Sequence, residues 1–560
     1  MSKFLQHIER LRTGANEDYD FSRVGEFITQ HTYLKGEKFS FAGHEYQARI
    51  AADTSRIVNT QKVSQCGLSE LTVRMTLAYA AMFPEFNVGY TMPFSGDARD
   101  FCKTRAFPVI AGSARLQDAS NPDVFSTEII QLNDSFVYFR GTNGTTQAIS
   151  IPLSMVVSDE IDRSNPEILT TYTSRLAHSP YKLRRNFSTP TVEGHGIDLE
   201  MRTSRRYKNF CKCNHCEHWF YPDYFAHVKI PGFDNELESI TKNNLKGVRY
   251  NEAELLCPNC GKVPSLKPRH REWVLENTED NYEAAGYYVS PFDSEFRTPD
   301  ILVRESTEYA LYSEFKNQAL GLTASQDSES LTQDDLDNCK TTTDLTASAA
   351  HCMGIDVGIL CHIYIGRMTL EGHLLVVHRE IVPISNLETR RLQLKAQYRV
   401  LVTVIDAQPF TDTVARMQRA DKSLFGANFA VTKTAAVFAV KEFDGLVAEG
   451  KLPINLAKIS RDRAFDQLLE LFKRKEILIY QHEENIDREA DRHCLSLKRV
   501  QKMTDDGLAY HWVKPASGDD DHFFALLFLL AACKLRGEVG NQTPLLTAQG
   551  SIMGRFKLKT

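Results

Sequence analysis

No apolar run in this sequence is long enough to cross a bilayer. The longest, Phe523 to Cys533, falls well short of the ~20 residues a spanning helix needs and reads as a core helix. The start, Met-Ser-Lys-Phe-Leu-Gln-His, has no apolar core of signal-peptide length, so a soluble intracellular chain with no membrane partner is expected. Excess positive charge is also missing: 66 Lys and Arg stand against 72 Asp and Glu, a net charge of −6. That excludes coating nucleic acid by bulk charge and leaves only local basic tracks. Four such tracks stand out: Lys182, Arg184 and Arg185; Arg202, Arg205, Arg206 and Lys208; Lys267, Arg269 and Arg271; and the tail Arg555, Lys557 and Lys559. At 42% hydrophobic and 25% charged residues the composition is globular, and 560 residues are too many for one ordinary core. Twelve cysteines in such a chain imply reduced thiols or metal ligands rather than disulfides.

The stretch from Arg56 to Phe83 reads strand, loop, helix. A β-branched pair, Ile57-Val58, leads into Lys62-Val-Ser-Gln-Cys-Gly67-Leu-Ser69-Glu70. Leu71, Met75, Ala78 and Met82 then recur at i, i+4, i+7 and i+11, as on one apolar helix face. Backbone N–H groups at such a helix start point at an anion. The lysine that follows the second glycine in the usual phosphate loop is absent; Leu68 stands there, and the lysine comes five places before Gly67, at Lys62. Ser69 keeps the position whose hydroxyl holds Mg²⁺. A plain strand-to-helix turn is the alternative reading. A second half-site follows at Ile151-Pro-Leu-Ser-Met-Val-Val-Ser-Asp159-Glu160-Ile-Asp162, an apolar strand ending in acids. Asp159 is placed to hold Mg²⁺ through water, and Glu160 to orient or deprotonate the attacking water. Two matching halves in order predict an ATPase on a mostly parallel α/β sheet.

Other stretches fill in that domain. Phe41-Ala-Gly-His-Glu-Tyr46-Gln47, with Arg49, lies where an adenine-binding edge is expected. Phe136 to Arg140 is a strand breaking into the glycine turn Gly141 to Gly144. Asn186-Phe-Ser188-Thr189-Pro190-Thr191 is a strand run ending in hydroxyls, suited either to sensing a γ-phosphate or to capping a helix. The order Lys62-x-x-Gln65-x-Gly67-x-Ser69-Glu70, Met92-Pro93, Arg105, Arg140-Gly141, Asp159-Glu160-x-Asp162 and Ser188 to Thr191 resembles the large terminase subunit of tailed double-stranded-DNA bacteriophages. Within that family it looks most like the branch with a displaced phosphate-loop lysine and a cysteine-rich insertion. The resemblance runs from about Phe41 to Ala532. It implies ATP with Mg²⁺ on Lys62, Gln65, Gly67, Leu68, Ser69, Glu70, Asp159 and Thr189.

Cys213-Asn-His-Cys216 and Cys257-Pro-Asn-Cys260 are two C-x2-C knuckles whose four thiolates can close a tetrahedron around Zn²⁺, with Cys211 as a spare. Thr323 to Ser348, rich in Ser, Thr, Asp and Gln, reads as a linker. Beyond it Gly354-Ile-Asp356 and Arg399 to Ile405 deliver Asp356 and Asp406 at strand ends, and Gly518-Asp519-Asp520-Asp521-His522 caps a helix from Phe523 to Leu535. Three such acids suit a ribonuclease-H-like nuclease holding two divalent ions, Mg²⁺ or Mn²⁺, roughly 4 Å apart. The resemblance puts the metal positions on Asp356, Asp406 and Asp521, with Asp520 as runner-up.

The expected organisation is a helical lead-in over 1–40, then a P-loop-type ATPase domain over 41–322 with a zinc-binding insertion at about 205–270. A linker over 323–348 and a ribonuclease-H-like domain over 349–560 complete it. The family implies a motor that moves double-stranded DNA into a procapsid and cuts concatemeric genome. Its partners would be a small terminase subunit, the procapsid portal and further copies in a ring, and its place the host cytoplasm, transiently docked on the procapsid. Arg99, Arg105 and Arg140 are candidates for an arginine supplied to a neighbouring subunit. Two other classes fit parts of the pattern: a helicase-nuclease, against which the lack of helicase-type arginine motifs argues, and a zinc-bearing DNA-binding structural protein with a decayed ATPase, supported by the displaced lysine.

Overall fold

The computed structural model describes residues 20–540, apart from 143–150, 278–282, 325–329, 347–348, 430–437, 443–454, 482–483, 505–506 and 515–518 and the single positions 243, 295, 310, 371 and 409. Gly144, Gly518, the basic tail, and residues 1–19 of the expected lead-in lie outside these. Two compact units emerge, Met1–Ser328 with Val500–His511, and Glu329–Arg499 with Trp512–Thr560.

The first unit is built on eleven strands: β1 Ile57–Lys62, β2 Val88–Met92, β3 Ser120–Phe125, β4 Ile129–Leu132, β5 Ser135–Gly141, β6 Met155–Asp159, β7 Leu183–Ser188, β8 Ser204–Lys212, β9 Trp219–Phe220, β10 Arg271–Leu275 and β11 Ala284–Val289. Their order is β9-β8-β11-β1-β7-β6-β2-β5-β4-β3, with β10 added on β8. The seven strands from β8 to β5 run parallel, and antiparallel pairs close both edges. Parallel strands are covered on both faces, which is why β6 is buried at every residue and reads as an unbroken apolar run.

Helix Leu68–Met82 follows β1. Its periodicity predicts one buried face, but burial extends almost all round, from Leu68 and Leu71 through Val73 and Leu77 to Ala81. The helix runs through the middle of the core rather than along its edge, and its alanines let neighbours approach from several sides. Arg74, 1% exposed, is accommodated there because Glu70 and the Tyr33 carbonyl accept from its guanidinium, the latter at 2.9 Å, while Phe39 lies 4.7 Å beneath it. The lead-in contributes helix Val24–His31 and a short hairpin, Tyr33–Leu34 with Glu37–Lys38.

The second unit carries nine strands: β12 Lys340–Thr341, β13 His351–Asp356, β14 Leu360–Met368, β15 Leu374–Pro383, β16 Val400–Asp406, β17 Leu424–Phe429, β18 Phe438–Glu442, β19 Asn455–Ile459 and β20 Ile477–Tyr480. They lie in the order β12-β20-β15-β14-β13-β16-β17-β19-β18. β13, β14 and β15 form an antiparallel meander, and β16 and β17 continue the sheet parallel to β13. Three antiparallel strands followed by parallel ones on the side of the first is the ribonuclease-H-like order. Helix Asp521–Gly540 lies against β13 so closely that a Cβ at Gly354 would overlap the backbone of Ala525 and Leu529. Only glycine permits that approach.

One stretch departs from expectation. Part of the anticipated linker folds into the second unit: helix Gln333–Asn338 and β12, which pairs with β20. Its apolar residues are few, but Leu331, Leu336 and Cys339 are all buried in that unit's core. The polar residues are capping chemistry rather than linker solvation, Thr332 and Asp335 forming a reciprocal capping box.

Candidate functional site

The loop after β1 turns on two residues with positive φ, Gln65 (58°) and Gly67 (76°). Gly67 caps helix Leu68–Met82, and a Cβ there would stand 3.1 Å from the Gln47 amide nitrogen and 3.4 Å from the His44 ring. Glycine therefore serves both the left-handed turn and the close packing. Gln47, placed by helix Tyr46–Ala51, donates to the Cys66 carbonyl at 3.0 Å, and the Tyr46 hydroxyl donates to the same oxygen. The segment upstream thus braces the loop. Leu68 buries its side chain in the core and so offers the site only its backbone.

Lys62, at the C-terminal end of β1, reaches the acids at the end of β6 although it stands six places before the expected position. Its Nζ donates to Glu160 Oε1 at 2.7 Å and to Thr189 Oγ1 at 3.4 Å. Burial disfavours its ammonium, yet Glu160 and Asp159 hold it above the usual lysine value. Ser69 Oγ and Tyr90 OH donate to Asp159 Oδ2 at 3.3 and 3.0 Å, whereas Asp159 Oδ1 is buried with no hydrogen-bond partner. Burial and then Glu160 push the Asp159 carboxyl up to about 7. An orphaned buried carboxylate oxygen beside a serine hydroxyl fits a divalent ion. Glu160 itself sits at φ 57°, turned out of the strand, and accepts from Ser188 Oγ at 3.4 Å. Lys62, Ser69, Asp159, Glu160 and Thr189 are therefore brought together. Gln65 lies on the loop, and Glu70 one turn into the helix is held by Arg74 and Arg105.

In the second unit Asp356 and Asp406 leave neighbouring parallel strands at one level, since Ile355 and Ile405 just before them are register partners. Burial, followed by the charges of Asp406, Asp521 and Asp520, pushes Asp356 up to about 8. Burial also raises Asp406. Asp521 opens the helix, while Asp520 is paired with Lys514 Nζ at 3.0 Å and its carbonyl accepts from Phe523 and Phe524. The charges of Asp406 and Asp521 both act on Asp356, with Asp521 ahead of Asp520.

Residues 44–279 match the family model described as phage terminase large subunit gpA, ATPase domain. This segment is thus similar to the ATPase domain of phage terminase large subunits. No curated protein matches it. Among solved structures it is similar to the large terminase of bacteriophage HK97 (12% identity, 91% of this chain and 99% of that one, TM-score 0.35). The large terminase of a thermophilic bacteriophage in complex with ATP-gamma-S matches at 11% identity over 91% and 99%, TM-score 0.35. The large terminase nuclease of the thermophilic phage G20c matches at 13% identity over 35% and 95%, TM-score 0.23.

The terminase segment also contains the cysteine knuckles. Cys213, Cys216, Cys257 and Cys260 bring their sulfurs within 4.8 Å of one another, with Cys213–Cys260 and Cys216–Cys257 at 3.7 Å. Each knuckle ends on a left-handed residue, Glu217 or Gly261, whose N–H donates to the carbonyl of the first cysteine at 2.9 Å. Four sulfurs so placed fit Zn²⁺. Cys211 points elsewhere, to the Ser265 carbonyl at 3.5 Å, and burial pushes it up to about 11, which keeps it a thiol. Between the knuckles Tyr224, Ile230, Ile240 and Leu255 form an apolar core with helices Pro299–Glu305 and Tyr312–Leu320. The insertion is therefore held by packing as well as by its cysteines.

Several basic tracks are internally paired rather than open. Arg185 is buried and donates to the Ser55 and Arg56 carbonyls, and Lys208 pairs with Glu276 at 2.6 Å. Of the candidate arginines, Arg99 and Arg140 both meet Glu128, and Arg105 meets Glu70. Two residues that sequence reasoning leaves without a role are central. Tyr90 holds Asp159. Asp162, 1% exposed, accepts from Thr191 N–H (2.8 Å), Thr191 Oγ1 (2.9 Å) and Ile197 N–H (2.8 Å), tying the end of the acid strand to the hydroxyl segment. Asn317 holds that segment from the other side, donating to the Thr191 carbonyl at 2.7 Å. Its helix also accepts the Ser64 N–H of the phosphate loop at Gln318 O, 2.7 Å away.

Proposed function

We propose that this chain is an ATP-driven motor for packaging double-stranded DNA that also cuts the genome concatemer with a second, metal-dependent site. The observation that carries the reading is the reach of Lys62 across the loop to Glu160 and Thr189, beside an Asp159 oxygen with no partner. The displaced lysine still occupies the place where phosphate charge needs a cation, which speaks against a decayed ATPase. ATP phosphates would lie on the loop N–H groups and the start of helix Leu68–Met82. Ser69 and Asp159 would hold Mg²⁺, which supplies charge neutralisation to the β- and γ-phosphates. A bound phosphate competes with Glu160 for Lys62, which frees the Glu160 carboxylate to orient and deprotonate water. Ser188, bonded to Glu160, and Thr191, bonded to Asp162, form the path from hydrolysis to a moving segment.

In the second unit Asp356, Asp406 and Asp521 would hold two divalent ions, which supply the charge that phosphodiester cleavage demands. The chain's own part is to place three carboxylates on two strand ends and one helix start. The family implies partnership with the small terminase subunit and the portal, and assembly as a ring. The test is DNA-stimulated ATP turnover in Glu160→Gln alongside plasmid cleavage in Asp356→Ala with Mg²⁺ or Mn²⁺. Each variant should abolish one activity and spare the other. Cleavage by Asp356→Ala at the wild-type rate sinks the nuclease assignment, and duplex unwinding without portal dependence would favour a helicase-nuclease.

A further inference from the structure

Beside the acids of the second unit lies a cluster of a different chemical kind. His362, on β14, is the cross-strand partner of Asp356. His522 follows Asp521 in the first turn of helix Asp521–Gly540, and Glu489 and His493 come from helix Glu484–Ser496. The three histidines are 3%, 0% and 2% exposed for His362, His522 and His493, with ring centroids 4.4 to 5.9 Å apart. Both nitrogens of His362, Nε2 of His522 and Nε2 of His493 are buried without a hydrogen-bond partner. Unsatisfied ring nitrogens of His362 and His522, buried side by side, are costly, and an ion between them would relieve that cost.

We infer that His362, His522 and Glu489 form a binding site for a transition-metal ion of the zinc class, distinct from the four-cysteine cluster and from the acids. One donor atom from each lies within 4.8 Å of the others, and His362 Nε2 stands 3.8 Å from Glu489 Oε1. That is too long for a hydrogen bond and close to the ~3.3 Å that separates two donors each about 2 Å from a tetrahedral ion. His522 Nδ1 is taken by the Tyr364 hydroxyl at 3.1 Å, which leaves Nε2 as the ligating nitrogen and fixes the ring. His493 is excluded as a ligand by its own bonding. Its Nδ1 accepts the His522 backbone N–H at 3.3 Å, so in the neutral ring the proton sits on Nε2, directed towards Glu489 and Asp519, each 3.9 Å away. With the proton on Nε2 and Nδ1 already accepting, the ring has no lone pair left to offer an ion. Two imidazoles and one carboxylate select Zn²⁺ over Mg²⁺, whose preference is oxygen. The ion would join β14, helix Glu484–Ser496 and the start of the helix that carries Asp521.

The test is metal content and Co²⁺ spectroscopy on the full chain. Wild type is expected to retain two Zn²⁺ per chain. On Co²⁺ titration one equivalent should give an intense thiolate charge-transfer band, and the other only weak visible bands. Glu489→Gln, at a partly exposed position that leaves folding intact, should weaken the second equivalent by about 100-fold or more and spare the thiolate band, as should His522→Gln. One metal per chain in wild type, all of it thiolate-bound, overturns the inference. So does a second equivalent that survives Glu489→Gln and is lost in Asp356→Ala, because that ion would belong to the acids.

Discussion

Asp159 and Glu160 in the first unit share their pocket with a cation of the chain's own, Lys62, bonded to Glu160 at 2.7 Å. Asp356, Asp406 and Asp521 in the second unit have no bonded cation among the described residues; Lys514 is paired with Asp520 and is the last of the causes that act on Asp356. Each cluster buries one carboxyl and raises it, Asp159 to about 7 and Asp356 to about 8, with burial the largest cause. In the first, charge is balanced in advance, and on the proposed reading it would be redistributed when phosphate arrives. In the second, charge can develop fully only when external cations enter.

The sharpest break of that contrast is Asp356→Ala. Plasmid cleavage should fall by about 10³-fold, the scale on which loss of a charge-stabilising group costs an enzyme, with ATP turnover unchanged. Glu160→Gln should lower ATP turnover by roughly 10²-fold or more while nucleotide affinity, read by equilibrium dialysis, stays within about threefold. The effect of pH comes next in size. A carboxyl raised in the folded state contributes stability that is fully present below its unfolded value near 4 and is lost as pH rises through about 8. Divalent ions must displace that proton. Cleavage at limiting Mg²⁺ should therefore rise by about tenfold per unit between pH 6 and 8, and Mg²⁺ should raise the melting temperature of the second unit more at pH 8 than at pH 6. A flat profile would mean that Asp356 is already ionised and that the contrast with Asp159 is false. The smallest effect separates neighbours: Asp520→Asn should change cleavage by less than about threefold, since its carboxylate is committed to Lys514, whereas Asp521→Asn should approach the loss seen for Asp356→Ala.

Much of this is legible in the sequence because Asp159, Asp356 and Asp406 each end a short apolar strand, and strand ends on one side of a parallel sheet converge by topology. Lys62, Asp159, Asp356 and Asp406 can be found that way, and Ser69 by its place at the start of the following helix. What cannot be read is what distant segments bring together. Asp162 meets Thr191 and Ile197 about thirty residues on, and His362, Glu489 and His522 share no local pattern at all. Asp520 and Asp521 differ only in side-chain direction, which a run of identical residues does not encode. The polar stretch before β12 reads as a linker because three buried apolar residues suffice to dock a capped helix, fewer than composition-based reasoning requires.

The close approach of Gly354 to the backbone of Ala525 and Leu529 bears on how far the second cluster can adjust. Main chain presses on main chain there, so the distance from the strand that bears Asp356 to the helix that begins at Asp521 is set by the thickness of two peptide backbones. No rotamer change can widen or narrow such a gap. Even a single methyl added at Gly354 would lever the helix outward and splay the carboxylates, a lesion in catalysis introduced without touching any charged group.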